Sequence, residues 1–329
     1  MMINDPIDAV ITWVDGNDKA HEEKLISYCK LKGIQRSEAA APTRFDQRGE
    51  IVYCLMSLLR FAPWLRTIYI VTDAQRPSIL EQLKGTPYEK KIKIIDHQDI
   101  FQGLENYLPT FNSLSIESVL WRIEGISDNF IYLNDDFSLI RPVSCEDFFR
   151  DNKLVLRGSW KVQSEKKWQN YWRRVTNYLM KTSFPIARDA HRAVQENSAQ
   201  LAGWDKHFFH LPHAPYPVKK ATLETYFQTF PEALAKNVSY PLRDSQQFWS
   251  ISLAQHLEIQ KENVFFDHSL ESITVNGAYH SLAKIKHQLQ RANKREEVRF
   301  ICFQSIDAAP ETTQQLLFDW LDKKIFNQV

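Results

Sequence analysis

Two adjacent carboxylates, Asp135 and Asp136, directly follow an apolar, β-rich run, Asn129 to Leu133 (NFIYL). Paired acids at the end of a buried strand offer hard oxygen ligands to a divalent cation. Such a cation bridges a diphosphate and neutralises charge as a phosphate bond breaks. The same pair also suits an ordinary turn or cap, so the two residues alone leave both readings open. Thr12, Trp13 and Asp15 close the first apolar run. There an indole can stack on a base and a carboxylate can accept from base or ribose; a core tryptophan and a turn aspartate are the plainer alternative. Arg44 and Arg48 precede a helix that begins near Glu50. A guanidinium there either clamps phosphate beside a helix N-terminus or makes surface ion pairs. His210 and His213 lie in HLPHAPYP, where Pro212, Pro215 and Pro217 stiffen the chain into an extended loop. An imidazole held there, titrating near neutrality, can take a proton from an attacking hydroxyl or donate to phosphate, unless it is a plain structural histidine. Arg243, in the polar break after Pro241, is a second phosphate clamp or a surface arginine.

These residues need elements to hold them. Residues 8–140 alternate short β-rich runs with helical periodicity. Ala9–Val14, Thr67–Thr72, Lys93–Ile95 and Asn129–Leu133 read as strands. Residues 20–31, 49–61 and 113–123 read as helices, the second ended by Ala62-Pro63 and the third capped by Ser113. That alternation implies a mostly parallel sheet covered on both faces, with ligands beyond the carboxyl ends of its strands. Asp15, Asp73 and Asp135-Asp136 all sit at such ends. Residues 160–192 change character, with eight Lys/Arg, two acids and aromatic residues at helical spacing. This stretch reads as a basic aromatic helix: a solvated face, a site for an anionic acceptor, or a peripheral contact with anionic lipid. Residues 219–230 and 245–259 read as helices, Asn276-Gly277 as a tight turn, 298–303 as a strand and 311–325 as an amphipathic helix.

Composition sets the outer bounds. In 329 residues, 43% are hydrophobic and 25% charged, the make-up of a globular chain with a sizeable core. The net charge of +1 argues against a nucleic-acid partner. Cys29, Cys54, Cys145 and Cys302 lie far apart, without zinc-ligand spacing, which fits a reducing compartment. The first residues lack the basic and apolar regions of a signal peptide, and no apolar run reaches the ~18 residues of a membrane span. The expectation is a cytoplasmic protein, with peripheral attachment at the inner face of the membrane through 160–192 left open.

Taken together, the motifs resemble the Stealth family of cell-surface polysaccharide phosphotransferases, related to the catalytic part of the lysosomal-targeting N-acetylglucosamine-1-phosphotransferase. The resemblance rests on IDAVITWVDGND (7–18), TRFDQRGEIVYCLMSLLRFAPWLRTIYIVTDAQ (43–75), DHQDIF (96–101), LPTFNSLSIESVLWRIEGISDNFIYLNDDF (108–137), RPVSCEDFF (141–149), HAPYPVKKATLE (213–224) and FICFQSIDAA (301–310). It implies a GT-A-like, Rossmann-related α/β fold. Its nucleotide-sugar-binding core would span 1–150, a basic helical insertion 151–205, and a part completing the site 206–329. It implies transfer of a hexose-1-phosphate from a UDP-sugar to a hydroxyl of a glycan or lipid-linked glycan, with UMP released. It places Asp135 and Asp136 on Mg²⁺ or Mn²⁺, with Asp15 nearby at the donor nucleotide, beside Thr12 and Trp13. It also implies Arg44, Arg243 and Arg48 on phosphate, His213 as base or phosphate partner, and Asn112 on donor or acceptor. An ordinary GT-A glycosyltransferase releasing UDP and a non-catalytic glycan-binding protein are the competing readings.

Overall fold

The computed structural model describes residues 5–33, 49–166 and 190–327. Strand β1 (Ile7–Thr12) is buried at five of its six positions, β2 (Ile68–Thr72) at all five, and β4 (Asn129–Asn134) at all but its last. Burial that does not alternate means that both faces of these strands are covered. With β3 (Ile92–Asp96) they form parallel neighbours in the order β4-β1-β2-β3, the mostly parallel α/β arrangement that the sequence predicts. From β1 the chain builds outward to β2 and β3 on one side, then returns to lay β4 on the other. The order therefore reverses between β1 and β4, and a crevice opens beyond their carboxyl ends. Thr12 pairs with Asn134, so the tip of β1 and the Asp135-Asp136 turn face the same crevice.

The remaining strands are β5 (Phe137–Leu139), β6 (Phe149–Arg150), β7 (Lys153–Leu156), β8 (Ser159–Val162), β9 (His207–His210), β10 (Tyr216–Lys219), β11 (Val264–Phe266), β12 (Glu271–Asn276) and β13 (Val298–Gln304). β10 adds an antiparallel edge to the main sheet beside β4, an edge position that tolerates Pro217. β12, β13 and β5 make a second sheet. Apolar side chains from Ile7 to Ile325 share one core. The helix Glu50–Phe61 buries Ile51, Leu55, Leu58 and Leu59, and its Ser57 hydroxyl accepts from the Leu139 N–H on β5 at 3.0 Å. The terminal helix Glu311–Ile325 packs on it through stacked Tyr53 and Phe318, and Tyr53 donates to Asp322 at 2.8 Å.

Three local expectations change. The sequence predicts one helix over 113–123 capped by Ser113. The chain instead forms a short helix, Ser113–Glu117, capped by Asn112, then a 3-10 turn, Leu120–Arg122. The Trp121 indole donates to the Ser118 carbonyl at 3.0 Å, taking the acceptor that the next α-turn needs, and the Arg122 N–H moves to Val119. Of the basic stretch, Ser159–Val162 is a strand paired with β9, with Trp160 opposite Phe209, and a helix starts at Ala190. Residues 167–189 lie outside the described residues. The helix expected from 245 begins at Ser250, because Asp244 turns the chain by accepting from the Gln246 N–H at 2.7 Å.

Asp8 shows how the sheet is tied at its other end. Fully buried on β1, it accepts from Arg66 Nε at 2.9 Å, the Thr67 N–H at 3.1 Å and the Ser127 N–H at 2.8 Å. Those donors lie just before β2 and β4, so one carboxylate joins three strands. Asp8→Ala strands two buried N–H groups and is expected to cost about 3 kcal/mol, read from urea unfolding monitored by tryptophan fluorescence.

Candidate active site

The Asp135-Asp136 turn is the joint between the two sheets. β4 ends at Asn134 in the main sheet, and β5 begins at Phe137 in the second, paired so that Phe137 meets Cys302 on β13. That pairing fixes Asp136 from outside. The Phe303 N–H donates to its carbonyl at 3.0 Å, and Cys302 Sγ donates to its Oδ2 at 3.3 Å. Its Oδ1 is buried and has no hydrogen-bond partner.

β10 brings the histidine. In the antiparallel register Tyr216 faces Tyr132. The chain three residues before Tyr216 therefore runs level with the chain three residues after Tyr132, which puts His213 beside the turn at Asp135. The His213 carbonyl accepts from Ser272 Oγ, its ring packs edge-on against Phe137 with centroids 6.3 Å apart, and Gln304 Nε2 lies 3.4 Å from its Nε2.

A cavity of about 890 Å³ joins these pieces. Thr12, Trp13, Asn134, Asp135, Asp136, His213 and Arg243 all line it. Thr12 and Tyr132 hydroxyls lie 3.0 Å apart, and Tyr132 donates to Asn134 Oδ1 at 2.7 Å, which ties the tips of β1 and β4 together. Among the described residues of the lining, six are carboxylates (Glu50, Asp73, Glu117, Asp135, Asp136 and Asp307) and Arg243 is the one permanent cation. Burial and the neighbouring Asp136 and Glu50 push the Asp135 carboxyl well above the ordinary range. Burial, with Glu50, pushes Asp136 up to about 7, against the bond from Cys302 and the charge of Arg243. Burial also raises Glu117, which accepts from the Trp249 indole. At the β2–β3 end, burial lowers His97 to about 4, so that imidazole is neutral near neutral pH. Asp73 there pairs with Lys24 at 2.6 Å.

The other sequence candidates fall elsewhere. Arg44 and Arg48 lie outside the described residues. Asp15 is not among the residues of the cavity wall; its carboxylate accepts from the Asn17 N–H at 3.0 Å, and its own N–H and carbonyl are held by Gln75 at 2.8 and 3.0 Å. Asn112 is fully buried with its side chain committed: Oδ1 accepts from the Leu114 N–H at 3.1 Å, and Nδ2 donates to Tyr240 O at 3.1 Å and Gln247 Oε1 at 3.0 Å. Gln247 Oε1 also accepts from the Asp244 N–H at 3.0 Å, so Asn112 braces the turn that carries Arg243. His210 is not among the residues of this cavity wall, and burial holds it at about 4. The sequence reading missed Glu50, Glu117 and His191 in the lining. The signal for Glu117 was a lone acid inside the apolar run SLSIESVL; His191 had none.

A mostly parallel α/β sheet with a polar crevice at its switch point is the arrangement in which open α/β sheets bind their ligands. The chain matches the Stealth protein conserved region 1 over residues 5–29 and conserved region 2 over residues 44–156, and it belongs to the Stealth family. It is 35% identical over 258 residues to an exopolysaccharide phosphotransferase of Streptomyces coelicolor, covering 76% of this chain and 25% of that protein. It is 42% identical over 152 residues to a capsular polysaccharide phosphotransferase of Actinobacillus suis, covering 45% and 39%. The chain thus spans between a quarter and two-fifths of these relatives' own lengths. Among solved structures it is similar to the galactosyltransferase LgtC in complex with donor and acceptor sugar analogs (12% identity, 96% of each chain, TM-score 0.45). It is also similar to mouse xyloside xylosyltransferase 1 (11% identity, 90% of this chain and 97% of the other, TM-score 0.43).

The raised carboxyl at Asp136 has a consequence for folding. Its ordinary value is 3.8, so ionising it in the folded state costs stability progressively as pH rises from about 4, and the cost is complete above about 7. Asp136→Asn, which mimics the protonated form, is expected to melt at a higher temperature than the wild type at about pH 8 in chelator, with the gap closing toward about pH 5. Calorimetry at the two pH values checks it.

Proposed function

We propose that this cavity binds a UDP-sugar and transfers its hexose-1-phosphate, an N-acetylhexosamine-1-phosphate by preference, to a glycan hydroxyl in cell-surface polysaccharide synthesis. The observation that carries this reading is the meeting of His213 with the Asp135-Asp136 turn in one cavity. The names of the relatives support phosphoryl rather than plain glycosyl transfer. The acceptor oxygen forms a bond to the β-phosphorus, and the bond from that phosphorus to the oxygen bridging it to UMP breaks. The sugar keeps its bond to the anomeric oxygen, so the product is a phosphodiester and UMP departs. His213 takes the proton from the acceptor hydroxyl. Arg243, which makes no hydrogen bond or ion pair with the described residues, reaches a phosphate oxygen. Thr12 and Trp13 line the nucleoside end.

A diphosphate entering beside six carboxylates needs positive charge there. Asp135 and Asp136 would hold Mg²⁺ or Mn²⁺, and the residues fit that role: two hard oxygen donors, one oxygen atom buried without a partner, and carboxyls raised by burial and by neighbouring carboxylates. Among the described residues no three acids, histidines or cysteines cluster tightly enough to hold an ion alone, so donor oxygens of the substrate would have to supply further ligands. The ion would neutralise the charge that develops on the leaving phosphate.

Among the described residues no helix is long and apolar enough to cross a membrane. Attachment through the basic stretch 160–192, at the cytoplasmic face where UDP-sugars are used, belongs to the same proposal.

Incubation with a panel of UDP-sugars, Mg²⁺ or Mn²⁺ and a capsular oligosaccharide should release UMP and yield a phosphodiester by phosphorus NMR. UDP release would make the protein an ordinary glycosyltransferase. Turnover should vanish in EDTA and return with the ion. His213→Ala should lower kcat by about a hundredfold or more with donor KM little changed.

A further inference from the structure

His191 opens the helix Ala190–Leu201, far in sequence from HLPHAPYP, yet it stacks on His213 with ring centroids 5.0 Å apart and planes at 26°. It also packs against Trp249, with ring centroids 5.6 Å apart, whose indole is anchored on buried Glu117. The rings thus form a row, Trp249–His191–His213, closed on the far side by Phe137. Aromatic packing of this kind fixes a ring's plane without a covalent tie.

Gln195, one helical turn on, decides the state of His191. It is fully buried, so no water competes for its amide. The Leu211 N–H donates to its Oε1 at 2.9 Å, which fixes which end of the amide is oxygen. The amide nitrogen is therefore the end that lies 3.2 Å from His191 Nδ1. An amide N–H is only a donor, so Nδ1 is an acceptor and the ring proton sits on Nε2. A proton on Nδ1 would set N–H against N–H at this part-buried contact. Gln195 also joins the helix to the loop, since Leu211 stands two residues before His213.

We infer that His191 is a positioning residue: a neutral imidazole, held by Gln195 with its proton on Nε2, whose flat face fixes the plane of His213 without adding positive charge beside it. This rests on the assignment of His213 in the proposed transfer. It adds a residue that sets where the histidine's nitrogens point when a hydroxyl arrives. A base displaced by even about 1 Å loses much of its rate advantage.

The test has two arms. In the first, long-range proton–nitrogen spectra of protein with ring-labelled histidines are recorded at about pH 7.5, with His191→Ala as the assignment control. The expected spectrum shows Nδ1 of His191 bare and Nε2 protonated. The His213 ring signals should move in His191→Ala and return toward wild type in His191→Phe, which restores a flat ring. A proton on Nδ1, or His213 signals indifferent to His191→Ala, overturns the inference. In the second arm, UMP release from whichever UDP-sugar the wild type uses should fall at least about tenfold in kcat in His191→Ala. Donor KM should stay within about twofold, and His191→Phe should recover most of the loss. Equal kcat in all three proteins overturns it too. If the wild type releases UMP from no UDP-sugar, the transfer reading fails by itself, and the spectra alone decide whether His191 positions His213.

Discussion

Charge imbalance in one cavity is the constraint on which the rest of this structure turns. The described lining sets six carboxylates against a single guanidinium, and two of those carboxylates are neighbours in one turn. Burial out of bulk water raises the proton affinities of Asp135 and Asp136, and the neighbouring carboxylates add to it. A fold tolerates such a cluster when something positive completes it. Protons do so at low pH; in the proposed function a divalent ion does so, and it also meets the charge of the diphosphate.

The backbone leaves those acids little freedom to move apart. The turn that holds Asp135 and Asp136 belongs to two sheets at once, paired through β4 on one side and through β5 and β13 on the other. The antiparallel edge strand β10 then delivers His213 to the level of the same turn. Behind the histidine, Gln195, Trp249 and buried Glu117 form a rigid backing. Asn112 and Gln247 do the same for the turn bearing Arg243. Asn276-Gly277 at the rim is as constrained: a side chain at Gly277 would strike the Ser305 carbonyl. The groups facing the cavity thus rest on side chains that are themselves held by other elements, which is how a site keeps its shape.

What could be read from the sequence follows from whether a signal is local. β1, β2 and β4 are short apolar runs bounded by polar tips, and the helix Glu50–Phe61 has a clear apolar stripe; such patterns predict their own structure. The Asp135-Asp136 pair was legible because it ends such a run. Asn112 was a ligand candidate on the family resemblance alone, and only its partners from residues 240 and 247, more than a hundred positions away, show that its amide is committed. The helix expected over 113–123 breaks at a single indole-to-carbonyl bond that periodicity does not encode. His191 was invisible because nothing in its own neighbourhood marks it; it matters through Gln195, Leu211 and His213, which meet only in the folded chain. Arg44 and Arg48 stay candidates on motif alone.

The most direct check of the central claim is Mn²⁺ titration watched through histidine ring signals, with UDP present. A paramagnetic ion held at the Asp135-Asp136 turn should broaden the His213 ring first and His191 next, while His256, buried on the helix Ser250–Gln260, should broaden far less. Asp136→Asn should need much more Mn²⁺ for the same effect. Broadening that spares His213, or that is indifferent to Asp136→Asn, would contradict a shared site for the cation and the histidine.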